Sequence, residues 1–200
     1  MTSRVPQHPN PPKSLHDQEL PLIEQKGPWM RIHQKQNECI HFGRRASGRF
    51  NDPRRGYGVL YLGEDYHAAF IETLGWQTGK KDITVRALQE RMLSQVASTN
   101  PLRLVDLTGP GLSKIGADAD LCTGRSRTLT QKWSRAIWSH PSKPDGIRYI
   151  SRHAPRRFFC VVFDQVEPLL LVKNLATLEA QSVARQTGQI MDDYGFSLVG

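Results

Sequence analysis

The segment RFFCVVFD, residues 157–164, most constrains the fold. Aromatic and β-branched residues fill it, so it reads as a strand. Other segments of that kind are spread along the chain. Trp29–His33 (WMRIH) alternates in residue type and predicts a first strand. Gly58–Leu62 (GVLYL) is apolar throughout, and Leu102–Leu107 (LRLVDL) and Gly146–Ser151 (GIRYIS) alternate. Leu169–Val172 and the final DDYGFSLVG can each supply another strand. Helical segments lie between them. Asp65 is placed to N-cap a helix over Tyr66–Leu74, with Gly75 as its C′ residue. One or two short helices fit residues 111–122. Thr128–Ser139 is amphipathic, with Leu129, Trp133, Ala136 and Ile137 on one face. HPSKPD, residues 140–145, stops it with two prolines. A last helix is expected over 174–190. Residues 83–97 carry a mixed pattern, helical overall, with ITV open to a strand. Residues 43–58 show no period and read as a loop. Strands and helices interleave irregularly and nothing repeats, which predicts α+β architecture rather than a doubly wound sheet.

Residues 1–27 carry Pro6, Pro9, Pro11, Pro12 and Pro21 among polar neighbours, and read as a mobile or wrapping arm. Residues 28–200 are expected to form a single domain, long enough to bury a core without disulfides. Cys39, Cys122 and Cys160 are isolated and form no CxxC pair, against a zinc site or a redox dithiol. The N-terminal MTSRVPQHPNPPKSL has no apolar signal-peptide core, and no run approaches the roughly 18 apolar residues of a membrane helix. A cytoplasmic protein without a membrane partner is the expectation.

The net charge of +8 favours anionic partners or a solvated basic surface. Arginines cluster in short segments: Arg44, Arg45, Arg49, Arg54 and Arg55; Arg125, Arg127 and Arg135; Arg148, Arg152, Arg156 and Arg157. Such clusters can converge on one small anion. A basic nucleic-acid-binding module is the rival reading from another class. It rests on charge alone, without a helix-turn-helix or aromatic-interleaved motif, so direct nucleic-acid binding is not expected.

No GxGxxG, GxxxxGK[ST] or GxSxG motif appears, and the histidines lack zinc-ligand spacing. One oddity stands out: Glu72 sits inside the apolar run AAFIETL, where an unpaired buried carboxylate would be costly. Arg31 on the first strand, Arg49 in GRFN, Tyr61 in GVLYL and Ser151 at the end of GIRYIS join it as candidates. Taken singly, each has an ordinary structural role: a strand-edge arginine, a core tyrosine, an exposed helical glutamate, a turn-capping serine.

Taken in order, these pieces resemble the RES domain, named for its Arg, Glu and Ser. MRIH, GRFN, GVLYLGEDYHAAFIETL, LRLVDLTG, TLTQKWSRAIW, DGIRYISR and FFCVVFD follow one another between about Trp29 and Val172, roughly 70% of the chain. On this resemblance Arg31, Glu72 and Ser151 are the hallmark residues, and Arg49 and Tyr61 fall where the family lines its pocket. The proline-rich arm and the insert PRRG after GRFN, which adds positive charge near the expected cleft, depart from the pattern.

The resemblance implies an ADP-ribosyltransferase-like fold, a split mixed β-core with surrounding helices. It implies NAD as substrate, no tightly bound cofactor, and inorganic phosphate as a possible co-substrate. Relatives act as toxins of toxin–antitoxin pairs that cleave the nicotinamide–ribose bond by phosphorolysis or hydrolysis, or transfer ADP-ribose to a protein. The expected partner is an antitoxin with a helix-turn-helix domain. In this scheme Glu72 stabilises the oxocarbenium-like ribose, and Arg31 and Arg49 bind the pyrophosphate. Tyr61 packs on nicotinamide. Ser151 holds the ribose or orients Arg31.

Overall fold

A computed structural model describes residues 9–75 and 79–200. Its centre is an eight-stranded mixed sheet, built from β1 (Leu22–Gln25), β2 (Trp29–Gln34), β3 (Val59–Gly63), β5 (Arg91–Ser98), β6 (Leu102–Asp106), β7 (Gly146–Ser151), β8 (Ala154–Phe163) and β9 (Leu170–Thr177). The spatial order is β1-β6-β7-β8-β3-β2-β5-β9. Neighbours are antiparallel except β6 and β7, which run parallel. β4 (Asp82–Thr84) and β10 (Ser197–Val199) form a separate parallel pair. The helices are α1 (Tyr66–Leu74), α2 (Val85–Gln89), α3 (Pro110–Lys114), α4 (Asp120–Thr123), α5 (Arg127–Trp138) and α6 (Gln181–Tyr194). The α+β expectation holds.

The central strands explain why their sequences are apolar throughout. In β3, Val59 and Tyr61 pack with the helices on one face, while Leu60 and Leu62 join a second cluster on the other. β8 does the same, with Phe159, Val161 and Phe163 on one side and Cys160 and Val162 on the other. Strands covered on both faces lose the polar half of the alternation. The first cluster also holds Phe50, Phe70, Trp133 and Ile137, which seat α1 and α5 over the sheet.

The mixed pattern over 83–97 resolves into β4, the short α2 and the long strand β5. Helix was the wrong reading there for a physical reason. Ser94, Val96 and Ser98 alternate inward and are all buried, but two of the three are serines, which erase the hydrophobic period. Both serines are satisfied. Ser94 bridges His33 Nε2 (2.9 Å) and Asn174 Oδ1 (2.7 Å), and Ser98 donates to Asn100 O (2.6 Å). Likewise β9 extends to Thr177, so the last helix begins at Gln181 rather than near 174.

Asp65 caps α1 as expected, its carboxylate accepting from the Ala68 N–H at 2.7 Å. Gly75 ends the helix at φ −96°, outside the left-handed region expected of it. Glycine serves close approach here, since a Cβ would lie 3.0 Å from the Phe196 ring. Residues 9–27 run along the body. Leu15 and Leu20 are buried, the His140 Nε2 lies 3.1 Å from the carbonyls of Leu15 and Gln18, and β1 pairs with β6. No described helix is long and apolar enough to cross a membrane.

Candidate functional site

A cleft of about 1060 Å³ opens between α1, the β2–β3 region of the sheet, the 47–49 turn and the end of β7. All five sequence candidates line it: Arg31, Arg49, Tyr61, Glu72 and Ser151. They come from five separate elements, so only the tertiary fold brings them together.

Glu72 reaches the cleft through helical geometry. Ala69, Glu72 and Thr73 stand at i, i+3 and i+4 and face the cavity, whereas Phe70 and Ile71 are buried in the core. The carboxylate in AAFIETL therefore sits on the cleft face of an otherwise buried helix. Among the described residues it makes no hydrogen bond or ion pair, so its oxygens remain available to a ligand. α1 lies close on β3, because a Cβ at Gly63 would fall 2.7 Å from the Ala69 N and 2.9 Å from the Ala68 Cβ.

Arg31 is half-buried, and its Nη1 donates to the Tyr61 carbonyl at 2.8 Å. Its Nε is buried without a hydrogen-bond partner among the described residues. Burial lowers its pKa from the ordinary value, opposed by nearby Cys39. The expected hydrogen bond from Ser151 to Arg31 does not occur. Ser151 Oγ instead accepts from the His153 N–H at 3.2 Å, because the turn after β7 folds back on it. The Tyr61 backbone orients Arg31 in its place.

The Tyr61 hydroxyl is fully engaged. It donates to Asn51 Oδ1 at 2.9 Å and accepts the Phe50 N–H at 2.8 Å, and burial holds its pKa far above the phenol range. Its ring lines the cleft while its oxygen locks the GRFN turn. Asn51 Nδ2 in turn donates to Gly43 O, and Gln131 Nε2 donates to Ala46 O (2.7 Å) and Gly48 O (2.9 Å). This network presents Arg49, whose pKa is lowered by burial and by Arg152. Gly48 is demanded by crowding: an added Cβ would meet Asn51 Oδ1 at 1.9 Å and the Tyr61 hydroxyl at 2.8 Å. Gly48→Ala is expected to cost about 1–3 kcal/mol of stability through overpacking. It should also weaken ligand binding in the cleft, and urea denaturation with a parallel binding titration checks both.

Some of the clustered arginines pair with aspartates and others line the cleft. Arg44 pairs with Asp164, Arg135 with Asp52, Arg148 with Asp106, and Arg157 with Asp65. Arg31, Arg49, Arg125, Arg127 and Arg152 all line the cleft, where Glu72 is the single acid among the described lining residues. Arg54 and Arg55 of PRRG are not among the cleft residues. They sit in a turn held by Asp52, which accepts from the N–H groups of Arg54 (3.1 Å) and Gly56 (2.7 Å).

Sequence reasoning noted Arg125, Arg127 and Arg152 as cluster members without placing them, and missed Tyr149 and His153 on the cleft wall. Arg152 and His153 form the two-residue turn between the paired Ser151 and Ala154, and so project beside Ser151. The His153 pKa is lowered by burial and by Arg152, whose Nε–H donates to its Nε2 at 3.1 Å. The described residues hold no cluster of His, Cys, Asp and Glu suited to a metal. The arrangement suits recognition of an anion by guanidinium groups beside one free carboxylate.

Known proteins resemble this chain in sequence and in fold. The RES domain family model matches residues 28–182. A relative from Sinorhizobium fredii (strain NBRC 101917 / NGR234), described as "Probable toxin y4kH", is 34% identical over 121 residues, spanning 60% of this chain and 93% of its own. Among solved structures, the M. tuberculosis MbcT-MbcA toxin-antitoxin complex contains a chain of like fold. It matches at a TM-score of 0.61 and 18% identity, over 86% of this chain and 92% of that one. The protein therefore belongs to the RES domain family.

Proposed function

We propose that the protein is an NAD-consuming enzyme that cleaves the nicotinamide–ribose bond, and that it acts as the toxin of a toxin–antitoxin pair. One observation carries the catalytic reading. Glu72, which makes no hydrogen bond or ion pair with a described residue, shares a cleft with the half-buried Arg31 and Arg49. Breaking the glycosidic bond expels neutral nicotinamide with the bonding electron pair and leaves positive charge on the ribose. A carboxylate at that position stabilises the cation as it forms, by the logic of glycoside cleavage. The leaving group needs no proton, so a single carboxylate suffices. Arg31 and Arg49 hold the pyrophosphate, each with a planar fork suited to phosphate oxygens. The Tyr61 ring, fixed by its own hydroxyl, offers a flat apolar wall to nicotinamide. Ser151 faces the ribose.

The toxin role rests on the relative described as a probable toxin and on the fold shared with the toxin–antitoxin complex. The partner would be an antitoxin with a helix-turn-helix domain. Five arginines turned into one cleft favour a small anion over a nucleic-acid duplex. NAD would be a substrate rather than a resident cofactor.

The test is nicotinamide release from NAD by the purified wild type, with and without inorganic phosphate. Release that needs phosphate identifies phosphorolysis, and release without it identifies hydrolysis. Incorporation of ADP-ribose into protein, with no free release, would replace this reading by protein mono-ADP-ribosylation at the same site. Neither outcome would overturn the catalytic assignment as a whole; absence of both would. Arg31→Ala is expected to raise KM for NAD about tenfold or more, with a smaller change in kcat, because a charge-assisted contact to the ground-state pyrophosphate is lost. Steady-state kinetics measures the split.

A further inference from the structure

The far face of the sheet carries a second pocket, of about 220 Å³, that the proposed reaction does not use. Strand alternation builds it. In β7, Ile147 and Tyr149 join the helix-side cluster, so Arg148 points to the opposite face, across from Cys160 of the second cluster. In β8, Phe158 continues the face of Cys160 and Val162. After β3, Glu64 continues the face of Leu60 and Leu62. Pro28 and Trp29, where the chain enters β2, and the exposed Lys26 complete the walls. Among the described lining residues, Phe159 alone is shared with the cleft.

Two opposite charges face this pocket without meeting. The Arg148 guanidinium lies over the Phe158 ring, 3.7 Å from its centre. Its Nη1 donates to Asp106 Oδ1 and Thr108 Oγ1, both at 3.2 Å. Its Nε is buried with no hydrogen-bond partner among the described residues, and its Nη2 has none there either. A guanidinium engaged through one nitrogen keeps the rest of its fork open to an anion. Glu64 is held to the same residue from the other side. Its Oε1 accepts the Phe158 N–H at 3.0 Å, and its own N–H donates to Phe158 O at 3.0 Å. Arg148 and Glu64 are thus both anchored to Phe158, one at its ring and one at its backbone. Among the described residues no ion pair joins them, and neither pairs with Lys26. Opposite charges fixed beside one residue, yet unpaired, suit a ligand that carries both signs.

Size and charge balance narrow that ligand. Asp106 offsets Arg148 and Lys26 offsets Glu64, so a net-neutral ligand fits better than an anion. The volume is below the roughly 300 Å³ at which drug-sized sites begin, and it takes a molecule of about ten non-hydrogen atoms. Pro28, Trp29 and Phe158 supply apolar surface. The geometry points to a binding site for one free α-amino acid with an apolar side chain. Its carboxylate lies on Arg148 beside Lys26, its ammonium on Glu64, and its side chain against Pro28 and Trp29.

Calorimetry on the whole chain tests the site with leucine, methionine and phenylalanine as ligands. At least one is expected to bind saturably, one per chain. The matching des-amino acid, which lacks the ammonium, and the matching amide, which lacks the carboxylate, should each bind about tenfold or more weakly. Glu64→Gln keeps an acceptor for the Phe158 N–H and removes the charge. It should weaken the amino acid about tenfold and leave the des-amino acid unchanged. Arg148→Gln should abolish binding, but it also strips Asp106 of its partner. The ligand derivatives and Glu64→Gln therefore decide the question if that variant folds poorly. Glu64 is exposed, so an unchanged melting temperature is expected of Glu64→Gln and confirms its folding. No saturable binding by any of the three amino acids overturns the site. So does binding that tolerates the loss of either charge, or affinity that Glu64→Gln leaves intact. The titration contains no NAD, so its outcome is independent of the proposed reaction.

Discussion

Glu72→Gln is expected to slow nicotinamide release from NAD by about 10²–10³-fold, while KM changes little. The substitution keeps the shape of the side chain and removes its charge. Under the proposed mechanism that charge meets a full partner only when the ribose cation develops, so its loss falls on kcat. Stability should be nearly unaffected. Glu72 is partly buried, makes no hydrogen bond or ion pair with a described residue, and lies on the cleft face of α1 rather than in the core. A melting temperature equal to that of the wild type therefore accompanies the loss of rate. Retention of more than about a tenth of wild-type kcat would remove Glu72 from the chemistry.

Asp52→Ala produces the opposite phenotype, a loss of fold rather than of rate alone. The Asp52 carboxylate is fully buried and accepts from the Arg54 and Gly56 N–H groups and from Arg135 Nη1 at 2.7 Å. Removing it leaves those donors without their acceptor. Loss of one member of such a buried charge pair costs about 3–5 kcal/mol, and the lower end applies because Arg135 can turn partly to water. Asp52→Asn keeps the volume and one acceptor, so it should cost about half as much.

The pH dependence follows from the same contacts. Burial pushes the Asp52 carboxyl up, but the two backbone donors and Arg135 together hold it below the usual carboxylate range. A depressed folded-state pKa gives a contribution that is complete above the unfolded value of about 3.9 and is lost as pH falls through the folded value. The stability gap between wild type and Asp52→Asn is thus largest near neutrality and narrows below about pH 4. Urea denaturation at pH 7 and pH 3 measures it. A gap independent of pH would mean that Asp52 acts through packing alone.

These two residues also show what was legible beforehand. Glu72 announced itself, because a carboxylate inside AAFIETL violates the local apolar pattern and so asks for a reason. Asp52, one residue beyond GRFN, gave no such sign. Its role depends on Arg135, more than eighty positions away, and on backbone donors of a turn whose shape only folding defines. Gln131 is a similar case. It reads as a polar position on an amphipathic helix, yet its amide clamps the Gly48 carbonyl and so sets the turn that carries Arg49.

Strands whose residue types repeat the burial pattern were readable: β2, β3, β6, β7 and β8 all lie where the sequence places them. β5 was not, since burial at Ser94 and Ser98 is made tolerable by His33, Asn174 and Asn100, contacts that no local window contains. The arginines followed the same division. Clustering, which admits an anionic ligand or a solvated basic surface, was visible in the chain itself. Which guanidinium groups are neutralised by aspartates and which remain free at the cleft was not, because Coulombic pairing depends on distance in space.

By itself, the sequence determined the α+β class, the order of the hallmark segments and the residue types available for chemistry. These are properties of local pattern, written in adjacent residues. The tertiary structure alone decided that Arg31, Arg49, Tyr61, Glu72 and Ser151 share one cleft, that Tyr61 rather than Ser151 orients Arg31, and that Arg125, Arg127 and Arg152 line the same cleft. The reason is physical: charge balance and hydrogen bonding act through space at a few ångströms, and only the folded chain sets those distances.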